Sequence, residues 1–581
     1  MNLKKYVLNG LVFGLMAMPF AAGSGIGAGQ AAAAEKLAAA PAVQTDLTGN
    51  TSTTAVKEDA TQKNVQEQKA YSLKLDTKEY TTQSQAVNGQ QVAYRVYADR
   101  VYAARPVDAA YEKMTIYIPE AYFQNKAVNG YTARTAPIFL PNEVGGYMPG
   151  GIAEPGVDNR HGNGANAVLT ALSKGYVVAA PAIRGRTLQS ADGTYTGKAP
   201  ALIVDYKAAV RYLRYNKKRL PAGDTEKIIS NGTSAGGALS ALLGASGNSK
   251  DYDAYLKEIG AAQERDDIFA SSDYCPITNL DHADMAYEWV FNGVNEYHQR
   301  KMGGMPPQNG QPAMMPSSIT VGGKVLPLGP GPVILPDAAQ GAKMDRPANA
   351  PADTAETSEM SEVQRKASDD LKRMFPAYVN SLGLKDDAGK SLTLDESGNG
   401  SFKDYLEGVY LASAQSALDR GEDLSDLDWI TIENGRAVGM DLGKYAVYAT
   451  RLKAAPAFDA LDDTSAENNE FGTKAINNQH FTSFSMENST ASATMADEGI
   501  VKLMNPLNYI GNGTAVTAKY WRIRHGEIDR DTSLAVPLIL ATKLKNSGAR
   551  VDFASPWNRG HDGDYDLTEL FAWMDDICKA K

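Results

Sequence analysis

From residue 71 onward, short runs of consecutive apolar residues alternate with segments whose apolar positions recur every three to four residues. Strands are predicted over 93–103 and 114–119, and the run APIFLPNEVGGY (136–147) reads as a strand ending in a glycine-rich loop. ANAVLTALSKG (165–175) has helical spacing and stops at a glycine. YVVAAPAI (176–183) is a continuous apolar strand, and ALIVDYKAAVRYLRYN (201–216) is an amphipathic helix. KIISNG then leads into a small-residue helix, and DIFASSDYC (267–275) forms one more strand. Uninterrupted apolar strands separated by one-faced helices are buried on both sides. The pattern therefore predicts an α/β fold, a mostly parallel central sheet with helices on both faces.

After 275 the alternation stops. Long helical patterns follow, HADMAYEWVFNGVNEYHQRKM and FKDYLEGVYLASAQSALDRG among them, and WITIENGRAVGM reads as a hairpin around Asn434-Gly435. A Met-, Pro- and Gly-rich stretch at 303–356 shows no period and is expected to be poorly ordered. Strand and helix patterns return from about 516: AKYWRIRHG, SLAVPLILATKLKNSG, RVDFASP and YDLTELFAWMDDICKA. The organisation expected is a sheet domain over 71–275 and 496–581, split by a large, mainly helical lid at 276–495. Residues 1–34 pair Lys4 and Lys5 with a short apolar core and an AAAA segment, a secretory signal, and 35–70 form a polar leader. Export is expected, with no membrane anchor in the mature chain, because the apolar core is too short to span a bilayer.

Charge narrows the partners. With 58 Lys and Arg against 68 Asp and Glu the net charge is −10, which disfavours nucleic acid and anionic membranes. Two cysteines, Cys275 and Cys578, make no framework; a disulfide and two buried thiols are both compatible with an exported chain. DGDYD at 562–566 lacks the later glycine and glutamate of a calcium loop.

Gly232-Thr233-Ser234-Ala235-Gly236 is the chain's one G-x-S-x-G, set between an apolar strand and a helix. A sharp strand-to-helix bend lifts such a serine out of the sheet and tolerates no side chain two residues to either side. In the α/β-hydrolase fold this motif defines, an acid follows a late strand and a histidine follows the last one. Asp529 and His561 fill those two slots. His525 competes for the base but precedes the acid; Asp281, Asp284 and Asp531 are rival acids. His561 would then take the Ser234 proton while Asp529 fixes the imidazole tautomer. Backbone amides of Ala235 and of the Gly145-Gly146 loop would hold the oxyanion. That chemistry calls for no metal or cofactor.

GTSAGGALSALLGASG, DYCPITNLDHADMAYEW, WRIRHGEIDRDTSLAVPLILATKLKNSG and PWNRGHDGDYDL together resemble the bacterial tannase family. The resemblance covers about 71–581 and implies hydrolysis of galloyl esters of tannins, small-molecule substrates, by Ser234, Asp529 and His561. It also implies galloyl contacts from Lys453, Glu467 and Asp531. Two carboxylates and an ammonium can pair with three adjacent ring hydroxyls, and a site that reads hydroxyls rejects analogues lacking them. Lys453 at a helix end could instead offset a dipole, and Glu467 could be a solvated loop residue. A feruloyl or cinnamoyl esterase is the nearest alternative; a non-catalytic hydrolase-like binding protein is a more distant one.

Overall fold

The computed structural model describes residues 70–162, 164–298, 318–321, 324–327 and 357–580. The central sheet has nine strands: β1 (Thr81–Val87), β2 (Gln90–Val101), β3 (Lys113–Pro119), β4 (Pro137–Pro141), β5 (Val177–Pro181), β6 (Asp224–Thr233), β7 (Ala270–Tyr274), β8 (Tyr520–Arg524) and β9 (Arg550–Ala554). Their spatial order is β1-β2-β3-β5-β4-β6-β7-β8-β9. The first three pair antiparallel, and the six from β5 to β9 run parallel. The central strands PIFLP (β4) and VVAAP (β5) are buried at every position, as their unbroken apolar runs require.

Helices α1 (Ala167–Ser173), α2 (Ala201–Tyr215) and α3 (Ala235–Ala245) follow the early strands, and all eleven residues of α3 are buried. β1 carries no apolar alternation. TTQSQAV lies at the sheet edge with its first four residues exposed, so hydrophobic spacing cannot reveal it. Both cysteines are buried free thiols, which decides between the two pairings the composition allowed.

In the segment between β7 and β8, helices α4 (Leu280–Phe291), α5 (Glu362–Ser381), α6 (Ser401–Asp419), α7 (Leu442–Ala449) and α8 (Ala466–Glu470) are joined by loops and a hairpin, Ile430–Glu433 with Arg436–Met440. The long helix expected from HADMAYEWVFNGVNEYHQRKM ends at Phe291. Gly293 there takes a left-handed φ of +93°, and Glu296–His298 pairs as a strand with Thr357–Glu359. Asn434 and Gly435, both at positive φ, turn the hairpin as NG pairs do. The signal and leader expectations lie outside the described residues. So does most of 303–356, of which Ser318–Val321 and Lys324–Pro327 pair as a hairpin.

Aromatic packing sets where this segment rests. Trp289 lies 5.1 Å from Phe375 and 5.8 Å from Phe402, linking α4, α5 and α6. The Tyr445 hydroxyl donates to Glu527 O at 2.6 Å, and the Tyr287 hydroxyl to Arg530 O at 2.9 Å. Both acceptors belong to the loop after β8, so the helices are seated on that loop. Helices α9 (Ala535–Asn546) and α10 (Leu567–Lys579) complete the sheet's cover, α10 through Phe571 against Phe139.

Candidate active site

Three neighbouring parallel strands end in register: Thr233 of β6 pairs with Tyr274 of β7, which pairs with Arg524 of β8. The next residues, Ser234, Cys275 and His525, therefore emerge side by side at the carboxyl edge of the sheet, where open α/β sheets place their sites. Ser234 sits at φ +63°, ψ −124°, a conformation L residues rarely hold. Its N–H donates to Tyr274 O at 2.9 Å. A Cβ on Gly236 would lie 2.5 Å from Asn142 Oδ1 and 2.7 Å from Val144 O, and one on Gly232 would lie 2.5 Å from Asn142 Nδ2. The two glycines are thus required by the approach of the loop after β4, the same loop that carries Gly145 and Gly146.

His561, in the loop after β9, shares a hydrogen bond of 2.8 Å between its Nδ1 and Asp529 Oδ2. Asp529 is fully buried. Burial pushes its carboxyl upward, but His561 and His525 outweigh that and hold it well below the ordinary aspartate value. Burial alone would lower the His561 pKa; Asp529 first and Asp531 second raise it well above that of a free imidazole. His561 Nε2 makes no hydrogen bond, so the bond to the Ser234 hydroxyl is not closed in this state. Catalytic hydrogen bonds of this kind commonly tighten only with substrate.

His525 is only a neighbour of Asp529, not hydrogen-bonded to it. It is wholly buried with its Nδ1 3.5 Å from Asp529 Oδ2, a second imidazole on the same carboxylate oxygen. The rival acids are engaged elsewhere. Asp284 accepts the N–H groups of Phe458 and Asp459, and Asp281 accepts from Asn505. Asp531 donates its own N–H to Asp529 Oδ1 at 2.9 Å, which turns its side chain to a different task.

That task is shared with Lys453, whose Nζ lies 2.9 Å from Asp531 Oδ1 and 4.2 Å from the Phe458 ring centroid. Lys453 does not close a helix, since α7 ends at Ala449. It belongs to a loop pinned by Arg451, which donates to Lys453 O at 2.7 Å and pairs with Glu288 at 2.6 Å, both side chains fully buried. Glu467 is likewise no solvated loop residue. It sits in the first turn of α8, only 6% exposed, and burial raises its carboxyl despite the Lys453 and Arg186 charges. Lys453 is held charged by Asp531 and Glu467 against the burial that opposes it. The structure thus pairs Lys453 with Asp531, sets Glu467 within electrostatic reach of both, and sets Asp531 within reach of His561.

Among the described residues, one group has the donor types of a metal site: Cys275, Asp529 and His561, within 4.8 Å of one another. His561 and Asp529 already share a proton, and burial raises the Cys275 thiol to about 11. The acids of DGDYD are internal partners: Asp562 with His161 at 2.7 Å, Asp564 with Asn231 at 3.0 Å, and Asp566 with Arg522.

A nine-stranded, mostly parallel sheet with a strained serine on a strand-to-helix bend, and a His–Asp pair on late loops, defines an α/β-hydrolase. A family model described as BD-FAE, an α/β-hydrolase family, matches residues 150–320. A search of curated proteins returned no match. Among solved structures, the tannase of Fusobacterium nucleatum is 48% identical, with a TM-score of 0.76 over 88% of this chain and 100% of that one. Tannin acyl hydrolase from Lactobacillus plantarum is 40% identical, with a TM-score of 0.75 over 87% and 99%. A tannin acyl hydrolase solved in complex with ethyl gallate matches equally, at 40% identity, TM-score 0.75, 87% and 99%. The chain belongs to the tannase family, carboxylic ester hydrolases on the α/β-hydrolase fold.

Proposed function

We propose that this chain hydrolyses galloyl esters of small molecules through an acyl-enzyme on Ser234. The observation that carries the substrate class is the convergence of Lys453, Glu467 and Asp531 near His561, three charged groups drawn from a lid loop, the lid helix α8 and the loop after β8. The ethyl gallate complex of the relative agrees with it.

In this mechanism the Ser234 hydroxyl attacks the ester carbonyl and its proton passes to His561 Nε2. Asp529 holds the Nδ1 proton and stabilises the imidazolium. The oxyanion is met by the N–H groups of Ala235 and the Gly145-Gly146 loop. Collapse expels the alcohol, which takes the proton from His561, and water repeats the sequence on the galloyl-serine to release gallic acid. The ammonium of Lys453 donates to one ring hydroxyl, while the carboxylates of Glu467 and Asp531 accept from others. Without those hydroxyls the buried charges are left unsatisfied, so discrimination against benzoate esters can reach about 10⁴-fold. The apolar leading segment of the chain supports export of the enzyme.

A hydrolysis profile over methyl gallate, protocatechuate, ferulate and benzoate tests the assignment. Gallate is expected to lead ferulate and benzoate by orders of magnitude in kcat/KM. Equal turnover of ferulate would point to a cinnamoyl-type esterase instead.

A further inference from the structure

The segment after β5 is mounted rigidly. Arg184 pairs with Asp205 at 2.7 Å and lies 3.5 Å from Glu112, all three buried. Ile183 and Gly150 exchange backbone hydrogen bonds of 2.9 and 3.0 Å. A Cβ on Gly185 would lie 2.6 Å from Met148 O, so this segment lies flush against the turn at 145–148.

Arg186 grips that turn from behind. Its backbone N–H donates to Tyr147 O at 2.9 Å, and its Nε donates to Gly146 O at 2.7 Å. Met148 N–H takes the remaining carbonyl, Gly145 O, at 2.9 Å. Gly146 and Tyr147 both have positive φ, +52° and +58°, a conformation Tyr147 holds only under external restraint. Three successive carbonyls of the turn are thus engaged, two of them by Arg186, which fixes the backbone whose amides are assigned to the oxyanion.

The other arm of the same guanidinium reaches the lid. Nη1 donates to Asn469 Oδ1 at 2.7 Å, in the helix that carries Glu467. The charge faces Glu467 and Glu470, and Glu470 is fully buried with neither carboxylate oxygen hydrogen-bonded. Lys198 shares that duty, bonded to Asn469 O at 2.7 Å.

We propose that Arg186 is a positioning residue that couples the galloyl pocket to the oxyanion turn, so that ring recognition by Glu467 is converted into rate rather than into ground-state affinity. This rests on the galloyl assignment above. Interactions expressed only in the transition state appear in kcat, whereas uniform contacts appear in KM. A guanidinium tied at once to the turn and to the recognition helix is built for the first.

The test is a double-mutant cycle of Arg186→Gln and Glu467→Gln, read with methyl gallate and with p-nitrophenyl acetate, which leaves the ring pocket empty. Arg186→Gln is expected to lower kcat on methyl gallate by about 30-fold or more, with KM moved by less than about threefold, and to lower acetate turnover by less than about fivefold. In the Glu467→Gln background, Arg186→Gln should cost gallate no more than it costs acetate. Arg186→Lys keeps the charge but not the fork, and is expected to behave like the glutamine variant. It supplies the reading should Arg186→Gln fail to fold. Equal losses on both esters, or an excess gallate loss that persists without Glu467, overturns the coupling. A loss confined to KM overturns it as well. Wild-type discrimination between gallate and benzoate is measured first; its absence rejects the galloyl assignment, whereas its presence with uncoupled variants rejects only the role of Arg186.

Discussion

Gly563→Ala should separate the histidine loop from the nucleophile. A Cβ at position 563 would lie 2.9 Å from Thr233 Cβ and 3.0 Å from Thr233 Cγ2, with Oγ1 nearer still. Rotating the threonine moves its branches but not its Cβ. The two backbones must therefore part by at least about 0.5 Å to reach ordinary contact. Thr233 precedes the serine and Gly563 follows His561 by two residues, so the displacement falls on the distance between hydroxyl and imidazole. Misplacing reacting groups by about 1 Å costs about 10²-fold, which puts the expected loss of kcat between about 10- and 100-fold. Overpacking adds a destabilisation of about 1–3 kcal/mol. Turnover of p-nitrophenyl acetate, thermal unfolding and the rate of fluorophosphonate labelling of Ser234 measure these together. Thr233→Ala in the same chain removes Oγ1 and Cγ2 and should return part of the lost rate. Wild-type kcat in Gly563→Ala, or a lost kcat with an unchanged labelling rate, would refute the reasoning.

Other consequences follow from the same geometry. The His561 pKa stands above the imidazole value of 6.5 because Asp529 and then Asp531 outweigh burial. The base must be neutral to accept a proton, so the acid limb of kcat/KM should lie above pH 6.5. Asp531→Asn removes one raising charge and should move that limb downward, measured on a neutral nitrophenyl ester. Lys453→Met should lower kcat/KM on methyl gallate by about 10²-fold, because it removes the ammonium paired with Asp531 and in electrostatic reach of Glu467, while acetate hydrolysis falls far less. Arg451→Met strands the fully buried Glu288 carboxylate. The cost should be about 3–5 kcal/mol, seen as a lower thermal midpoint.

Hydrophobic spacing located eight of the nine sheet strands because each carries apolar residues toward a covered face, and it missed Thr81–Val87 because an exposed edge strand needs no apolar face. The pairing of His561 with Asp529 was legible by chain order alone, since the strand-to-helix bend at Ser234 points to which later loops supply its partners. Lys453 and Glu467 were named only through a family resemblance; their meeting depends on how the 276–495 segment folds back, which no local period encodes. Arg186 had no signal at all, and His525 showed only as a competitor for the base, not as a second imidazole on Asp529. Each is one basic residue after a strand, and its role comes from partners far along the chain: Asn469 for one, and for the other a carboxylate that a second histidine also holds.

Acid-quenching the enzyme during turnover of methyl gallate, followed by peptide mass mapping, tests the nucleophile most directly. A galloyl adduct on the peptide containing Ser234, absent from Ser234→Ala together with all turnover, is the expected result. An adduct on another residue, or gallate release that survives in Ser234→Ala, would contradict it.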